Sequence, residues 1–381
     1  MTDTSHALCG ADHSSGCDCA AEPSHDNAAS AAEARGAADL SHLGAPVLVE
    51  VTRGGVVESV HRGRACIVDA AGHVLEHWGD IDALVFPRST IKPVQALPLL
   101  ESGAAQAFGV TDAEIALACA SHSGETRHTR AVSAWLARMG LTVDHLECGP
   151  QEPSDSETAA ELIRIGEAPS ALHNNCSGKH TGMLATALHK REPLTGYTRY
   201  DHPVQQRILG VIEQMSGQDL GQAPWGIDGC SIPTIAMPLA ALAYAMARIA
   251  DPSQLPERRA EAVKRIRTAW ATHSYLIAGR NTFDTEMIRG SAGLALVKQG
   301  AEGVGVAVLP RLGLGIALKI DDGSSRARDV AMAALVRRSG ALTKENWRRV
   351  AELEAIPVMT RAGRDAGMVR PAPDWLPYGA F

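Results

Sequence analysis

Residues 303–309, GVGVAVL, and residues 313–320, GLGIALKI, carry the strongest strand signal in this chain. Both runs are apolar in a way that is typical of strands, and the turn signal DDG at 321–323 ends the second run. The run GLALV at 293–297 precedes them and has the same character. The sequence therefore predicts three strands toward its C-terminal end.

Strand patterns also begin the folded part of the chain. The runs 47–51, 65–68 and 73–75 are rich in β-type residues, and the turn signals RGG at 53–55 and AG at 71–72 separate them. Because each run ends at such a turn, we expect hairpin strands here.

Between the two groups of strands, about residues 93–290 show helical periodicity instead. A further helix is expected at 327–339. Strands at both ends with helices between them predict an α+β fold, in which the N- and C-terminal segments build a mainly antiparallel sheet and the helices pack around it. The helices expected in the middle section are Pro93–Ser102, Asp112–Ala118, Thr129–Met139, Glu157–Ile165, Pro203–Met215 and Pro238–Ile249.

Residues 1–45 are rich in Ala, Ser, His, Asp and Gly and show no apolar periodicity, which predicts a disordered N-terminal tail. Residues 46–381 are then expected to form one α+β domain with a helical middle subdomain at about 93–290. Thiols and imidazoles in the tail could capture a metal loosely, but their spacing fits no closed zinc module, which favours incidental thiols. These residues are His6, Cys9, His13, Cys17, Cys19 and His25.

The composition is that of a soluble globular protein. Hydrophobic residues make up 45% and charged residues 21% of the 381 residues, which excludes a fully disordered chain and a fibrous repeat. The net charge of -7, without a dense basic stripe, argues against nucleic acid as a partner. Neither an export signal nor a membrane-spanning run is recognised, so we expect a cytoplasmic protein with reduced thiols.

The segment Arg88-Ser-Thr-Ile-Lys-Pro93 has a serine and a lysine three positions apart. On a helix this spacing brings Ser89 and Lys92 onto one face, where the amine can take the hydroxyl proton. Pro93 is tolerated only in a first helical turn, so the free N–H groups of a helix start would face the serine. For Lys92 to act as a base, its pKa must fall well below about 10.4. The alternative is a capping serine followed by an exposed lysine.

Two other places supply side chains for such chemistry. Residues 119–125, CASHSGE, offer Ser121 as a second nucleophile or proton relay, although a polar helix end explains the pattern as well. Lys298 lies where a strand gives way to a loop. There it could lower the pKa of another lysine or hold a substrate carboxylate, or it could be an exposed strand-end lysine.

The segments 174–182, NNCSGKHTG, and 225–230, WGIDGC, each bring a cysteine into a glycine-containing polar loop. Cys176 and Cys230 could share a zinc ion. Two sulfurs do not close a structural site, so an extra ligand and an open position would be needed. Buried, inert cysteines are the alternative.

Taken in order, these motifs resemble those of the asparaginase II family of the Rhizobium etli type. The resemblance covers about residues 47–320, and the NCSGKH block at 175–180 is specific to it. The tail before Pro46 has no counterpart in it. The motifs that carry the resemblance are Arg53-Gly54-Gly55, Arg88-Ser89-Thr90-Ile91-Lys92-Pro93, Cys119-Ala120-Ser121-His122-Ser123, Asn175-Cys176-Ser177-Gly178-Lys179-His180, Asp228-Gly229-Cys230 and Leu296-Val297-Lys298.

The resemblance implies hydrolysis of L-asparagine to L-aspartate and ammonia, on a fold similar to serine β-lactamases and glutaminases. It also implies a homodimer and makes residues 46–381 the catalytic domain. It pairs Ser89 with Lys92, and Ser121 with Lys298, in one pocket. The expected zinc ligands are Cys176, Lys179 and Cys230, and the residues expected to bind substrate or support the zinc surroundings are Arg88, His180 and Asp228.

The implied mechanism is acyl transfer, in which one of the two serines attacks the amide carbon and a lysine moves the proton. Three alternatives stay open at this point. A β-lactamase shares the serine–lysine chemistry, and a glutaminase differs by one methylene in its substrate, which a pocket discriminates by only about 1 to 3 kcal/mol. A non-enzymatic zinc-binding protein would use the two cysteines structurally.

Overall fold

The computed structural model describes residues 44–376, and the strands predicted at both ends of this range pair in one antiparallel sheet. The predicted C-terminal runs become three neighbouring strands, each within a few residues of its expected position. The strands in chain order are β1 (Val47–Arg53), β2 (Val56–Asp69), β3 (Val74–Trp78), β4 (Leu84–Val85), β5 (Trp225–Ile227), β6 (Pro233–Ile235), β7 (Met237–Pro238), β8 (Leu296–Gln299), β9 (Val304–Leu309), β10 (Leu314–Ile320), β11 (Ile356–Met359) and β12 (Asp365–Pro371).

The main sheet has the strand order β11-β12-β1-β2-β10-β9-β8, and β3 also pairs with β2. All of these pairs are antiparallel. The predicted α+β fold with a mainly antiparallel sheet is therefore confirmed. The sequence did not predict β11 and β12, which extend the sheet beyond β1.

The long strand β2 joins the two halves of the sheet. Its residues 56–62 pair with β1, whereas its residues 63–69 pair with β10. Gly63 lies at this change of partner, and a Cβ there would stand 2.4 Å from the Lys319 carbonyl oxygen. Only glycine lets the two backbones approach so closely. This junction brings the N-terminal strands next to the C-terminal strands that lead to Lys298.

The middle of the chain is helical, as the periodicity predicts. The expected helix Pro93–Ser102 is divided into two short ones, because Pro98 lacks an N–H and starts a new first turn. No helix within residues 44–376 has both the length and the apolar character needed to cross a bilayer. The α-helices are α1 (Lys92–Gln95), α2 (Leu97–Glu101), α3 (Ala104–Ala107), α4 (Asp112–Ala118), α5 (Thr126–Arg138), α6 (Ser156–Ile165), α7 (Ser177–Lys190), α8 (Pro203–Ser216), α9 (Leu239–Ala250), α10 (Glu257–Thr272), α11 (Ser274–Ala278), α12 (Phe283–Gly290), α13 (Ser325–Arg338) and α14 (Lys344–Arg348).

Two helices cover opposite faces of the main sheet. A Cβ on Gly315 of β10 would meet the backbone of Ala243 in α9, whereas a Cβ on Gly305 of β9 would meet Arg328 in α13. Gly305 pairs with Leu318, which lies three residues from Gly315, so the two glycines face opposite sides. The helical middle section then packs beside β8, where Lys298 lies.

The tail predicted for residues 1–45 lies outside the described residues, apart from its last two positions. The tail and its six candidate metal ligands stay predictions.

Candidate active site

Two buried lysines meet at one serine hydroxyl. Lys92 Nζ donates to Ser121 Oγ at 2.8 Å, and Lys298 Nζ donates to the same oxygen at 3.0 Å. Both lysines are only 1% exposed, so their amines are shielded from bulk water. The structure thus brings together three of the four residues that the sequence singled out for serine–lysine chemistry, from segments nearly two hundred residues apart.

Three elements position these side chains. Lys92 begins α1, immediately after the 3₁₀ turn Arg88–Ile91. Ser121 follows α4, and its backbone N–H donates to the Ile277 carbonyl at 2.9 Å, which fixes the loop. Lys298 lies in β8, the edge strand of the main sheet. The cluster therefore forms where this edge meets the helical middle section.

Ser89 lies in the 3₁₀ turn before Lys92, but the hydrogen bond expected from their spacing is absent. Lys92 Nζ donates to Ala120 O at 2.7 Å and to Ser121 Oγ instead. Within residues 44–376 the hydroxyl of Ser89 takes part in no hydrogen bond. The Lys92 amine donates to the Ala120 carbonyl and the Ser121 hydroxyl on another loop and not to Ser89. Within the described residues the half-buried Ser89 oxygen therefore keeps its lone pairs free.

Burial shapes the charge of Lys298. Removal from water disfavours its ammonium form, Asp284 opposes this effect, and nearby Lys92 and Arg328 reinforce it. The result is a pKa lowered from the ordinary lysine value to about 8. At pH 7 about a tenth of this amine is neutral and able to accept a proton.

Arg88 and Asp228, two of the predicted substrate-binding residues, form an ion pair with each other. Arg88 Nε and Nη2 donate to Asp228 Oδ1 at 3.2 and 2.9 Å. The backbone of Arg88 is left-handed, with φ at 50°, a conformation that costs about 1 to 3 kcal/mol in a non-glycine residue. The pair is only partly buried, so a guanidinium and a carboxylate are available to a ligand beside Ser89.

The three predicted metal ligands also lie together. Lys179 Nζ donates to Cys230 Sγ at 2.9 Å, and each of the three residues is at most 4% exposed. A hydrogen bond with Cys176 lowers the pKa of Cys230 to about 5, and the same bond, with burial, raises the pKa of Cys176 to about 12. Cys230 is therefore the thiolate of the pair.

This donor set fits a zinc ion with an open coordination position, because zinc prefers sulfur and nitrogen ligands. Burial disfavours the Lys179 ammonium, but the two cysteines outweigh it and raise the lysine pKa, so a bound metal would have to displace a proton. Within residues 44–376, no group of three or more His, Cys, Asp or Glu side chains is placed to hold a metal. A zinc site here thus requires Lys179 as the third protein ligand.

His180 is completely buried in α7 rather than open to a ligand. Its Nδ1 lies 2.7 Å from the Tyr197 hydroxyl, and burial lowers its pKa to about 3. Within the described chain its Nε2 has no hydrogen-bond partner. The hydrogen bond of His180 therefore links α7 to Tyr197. His180 forms no hydrogen bond with Arg88 or Asp228, the other two predicted substrate-binding residues, within residues 44–376.

Two buried carboxylates near the cluster received no role from the sequence. Glu125 accepts hydrogen bonds from Ser123 Oγ at 2.7 Å, from Arg280 N and Nε at 2.9 Å each, and from the Tyr275 hydroxyl. It thereby ties the loop of Ser121 to the loop after α11. Asp284 faces Lys298, and no local pattern reveals this, because it reads as an ordinary acidic residue in the first turn of α12.

The sequence of the chain matches the family model for L-asparaginase II over residues 49–371. No match to a curated protein is found. The matched range includes every residue described above, from Arg88 to Lys298.

Similar solved structures include β-lactamases and glutaminases. A β-lactamase from Mycobacterium bovis has 15% identity and a TM-score of 0.36, with 78% of this chain and 97% of that chain covered. The protein Mglu in its glutamate form has 13% identity and a TM-score of 0.41, with coverages of 80% and 67%. A Bacillus glutaminase has 12% identity and a TM-score of 0.39, with coverages of 74% and 91%. All three scores are below 0.5, so these structures support no statement about the chemistry of this chain.

Proposed function

Because this chain belongs to the L-asparaginase II family and is therefore an amidohydrolase, we propose that it hydrolyses L-asparagine to L-aspartate and ammonia. The observation that supports this proposal most strongly is the convergence of Lys92 and Lys298 on the Ser121 hydroxyl. A hydroxyl held by two desolvated amines is suited to passing a proton during acyl transfer.

In this proposal Ser89 is the nucleophile and Ser121 the proton relay. The hydroxyl oxygen of Ser121 has two lone pairs, and both accept hydrogen bonds from lysine amines. While both amines donate to it, Ser121 Oγ has no free lone pair for attack. Within residues 44–376 Ser89 Oγ accepts no hydrogen bond, and the strained backbone at Arg88 is of the kind that occurs at functional sites.

The reaction then proceeds in two halves. Ser89 Oγ bonds to the side-chain amide carbon of the substrate while its proton passes to Ser121, whose own proton passes to neutral Lys298. The carbon–nitrogen bond breaks as the amide nitrogen regains that proton and leaves as ammonia. Water then attacks the ester carbon, its proton follows the same relay, and Ser89 leaves as a hydroxyl with release of aspartate. The Lys92 amine donates to Ser121 Oγ and so stabilises negative charge that develops on this oxygen during the transfer.

Arg88 and Asp228 are proposed to bind the amino-acid end of the substrate. A guanidinium recognises a carboxylate and a carboxylate recognises an ammonium, which are the two charges that every free α-amino acid carries. Arg88 Nη1 and Asp228 Oδ2 lie outside the hydrogen bonds of their own pair, so they remain for this contact.

Zinc is proposed as the metal held by Cys176, Lys179 and Cys230. When bound, it supplies a Lewis acid that orders the two loops and attracts polar substrate groups. The proton transfers above use only the serines and lysines.

The proposed activity is tested by ammonia release from L-asparagine and L-glutamine, and by the colour change of the chromogenic β-lactam nitrocefin when its ring opens. We expect asparagine to give the highest kcat/KM, with glutamine at least about tenfold lower because one methylene displaces the amide from Ser89. Faster turnover of glutamine would support a glutaminase, and turnover of nitrocefin alone would contradict an amidohydrolase of free amino acids.

The pH dependence follows from the Lys298 amine. Since the neutral amine is the base and its pKa is about 8, kcat/KM is expected to rise about tenfold per pH unit below pH 8 and to level off above it. Steady-state kinetics from about pH 6 to pH 10 measure this. A profile that is flat across pH 8, or that falls as the pH rises from 6, would contradict a lysine base.

Zinc binding is expected to depend on Cys230. Cys230→Ala should weaken zinc binding at least about a hundredfold, since it removes the only cysteine of the site that is a thiolate at neutral pH. The measurement is zinc per chain by elemental mass spectrometry after dialysis. Cys66→Ala is the matched control, because Cys66 is equally buried but lies in β2 with its pKa raised to about 12. Equal zinc content in the two variants would overturn the site.

A homodimer in the cytoplasm completes the proposal, as the family resemblance implies. Sedimentation of the full chain at several concentrations tests the dimer, and fractionation of the producing cells tests the compartment. A monomer at all concentrations contradicts the first, and recovery outside the cytoplasm contradicts the second.

A further inference from the structure

Asp284 is a buried charged group that the proposed mechanism does not use. Its side chain is 0% exposed, and its Oδ2 lies 3.5 Å from Lys298 Nζ and accepts the Gln299 backbone N–H at 3.0 Å. We propose that Asp284 is a positioning residue that holds the Lys298 amine with its lone pair directed at Ser121. This inference rests on the proposed function.

The number of hydrogens on the Lys298 amine supports the positioning role of Asp284. Lys298 Nζ has three neighbours that can accept a hydrogen, namely Ser121 Oγ at 3.0 Å, Gln299 O at 2.9 Å and Asp284 Oδ2 at 3.5 Å. A protonated amine has three hydrogens and can satisfy all three. A neutral amine has two hydrogens and one lone pair. The carbonyl and the carboxylate accept hydrogens only, so they take the two hydrogens and the lone pair faces the hydroxyl of Ser121.

The cost of the arrangement argues against a purely stabilising role. A buried carboxylate is expensive unless hydrogen bonds and a close cation satisfy it. Asp284 Oδ1 has no hydrogen-bond partner within the described residues, and the ion pair to Lys298 is long. A well-packed apolar residue would serve stability at least as well at this position.

Four titratable side chains act electrostatically on Lys298, and Asp284 is the carboxylate among them. Lys92 on α1 and Arg328 on α13 lower the lysine pKa, whereas Asp284 on α12 and Cys176 before α7 raise it. Arg328 is itself held by Asp329 Oδ1 at 2.8 Å and by Gln299 Oε1 at 2.6 Å. Without Asp284, two cations and burial would act on the amine with little opposition, and it would become a weaker base.

The first test is the pH profile of Asp284→Asn, which removes the charge and keeps the shape. We expect its rising limb to move to lower pH by about one unit or more, because an opposite charge at this distance shifts a pKa by about 1 to 3 units. On the plateau, kcat should fall at least about tenfold with KM little changed. The control Asp329→Asn removes a neighbouring carboxylate that contacts Arg328 and not Lys298, and its limb should stay in place. An unmoved limb in Asp284→Asn would overturn the proposal.

The second test needs no substrate. Lys298→Met leaves the Asp284 charge buried without a cation, so adding Asp284→Asn should raise the unfolding temperature above that of Lys298→Met alone. A double variant that is no more stable than Lys298→Met overturns the ion pair, even if Asp284→Asn alone fails to fold.

The two tests also separate the proposals. A wild type that releases no ammonia, together with a stabilised double variant, contradicts the proposed function and leaves the ion pair standing. An active wild type with an unshifted Asp284→Asn limb contradicts the role of Asp284 alone.

Discussion

Ser89→Ala is expected to lower kcat for asparagine hydrolysis by about 10⁴-fold or more while KM changes little, because it removes the attacking atom and no binding group. The hydroxyl of Ser89 makes no hydrogen bond within residues 44–376, so the free energy of unfolding should change by less than about 0.5 kcal/mol. Ammonia release and urea unfolding measure the two quantities.

Ser121→Ala is the matched comparison for this variant. It deletes the acceptor of two buried amines and should therefore destabilise the protein by about 1 to 3 kcal/mol. Loss of the relay should lower kcat by about 10² to 10⁴-fold. Mass spectrometry of enzyme quenched during turnover locates the ester. An ester on Ser121, or a larger loss of kcat in Ser121→Ala than in Ser89→Ala, would reverse the roles assigned to the two serines.

Lys298→Met is expected to lower kcat at least about 10³-fold and to abolish the rising limb near pH 8, because the titrating base is gone. It should also reduce the free energy of unfolding by about 3 to 5 kcal/mol, since Asp284 keeps a buried charge without a cation. Kinetics across pH and urea unfolding follow both effects, and zinc content should stay that of the wild type.

Lys319→Met is the control for this loss of a strand lysine. Lys319 lies in β10, is partly buried, and has a pKa lowered by burial, but it faces Asp321 and Arg64 and not a serine. We expect this variant to keep wild-type kcat and its pH limb. If Lys298→Met keeps more than about a tenth of wild-type activity, another group is the base.

Local patterns predicted those strands and helices whose hydrophobic periodicity and turn signals lie within a short stretch of sequence. The runs 303–309 and 313–320 became β9 and β10 because uninterrupted apolar residues between turn signals suit a strand buried on both faces. β11 and β12 were missed, since their residues are mostly exposed or half-buried, and β12, which carries β11 at the sheet edge, pairs with β1 more than three hundred positions earlier. Such pairing leaves no trace in a local window.

In the candidate site, too, the sequence revealed local motifs and missed contacts between distant segments. The motifs named Ser121, Lys92 and Lys298, and the structure brings both amines within hydrogen-bonding distance of the Ser121 hydroxyl. The spacing of Ser89 and Lys92 suggested a direct bond, but an acceptor from a distant loop competes for the amine. Asp284 could not be found from the sequence, because its significance comes only from the lysine it faces.

The amino-acid sequence by itself determined the α+β class, the family and the candidate site residues, because residue types, their periodicity and short motifs are local properties. Only the tertiary structure decided which amine meets which hydroxyl, which thiol is ionised and which carboxylate faces Lys298. Hydrogen bonds and desolvation act over a few ångströms in space, and the fold brings into that range residues that the chain keeps far apart.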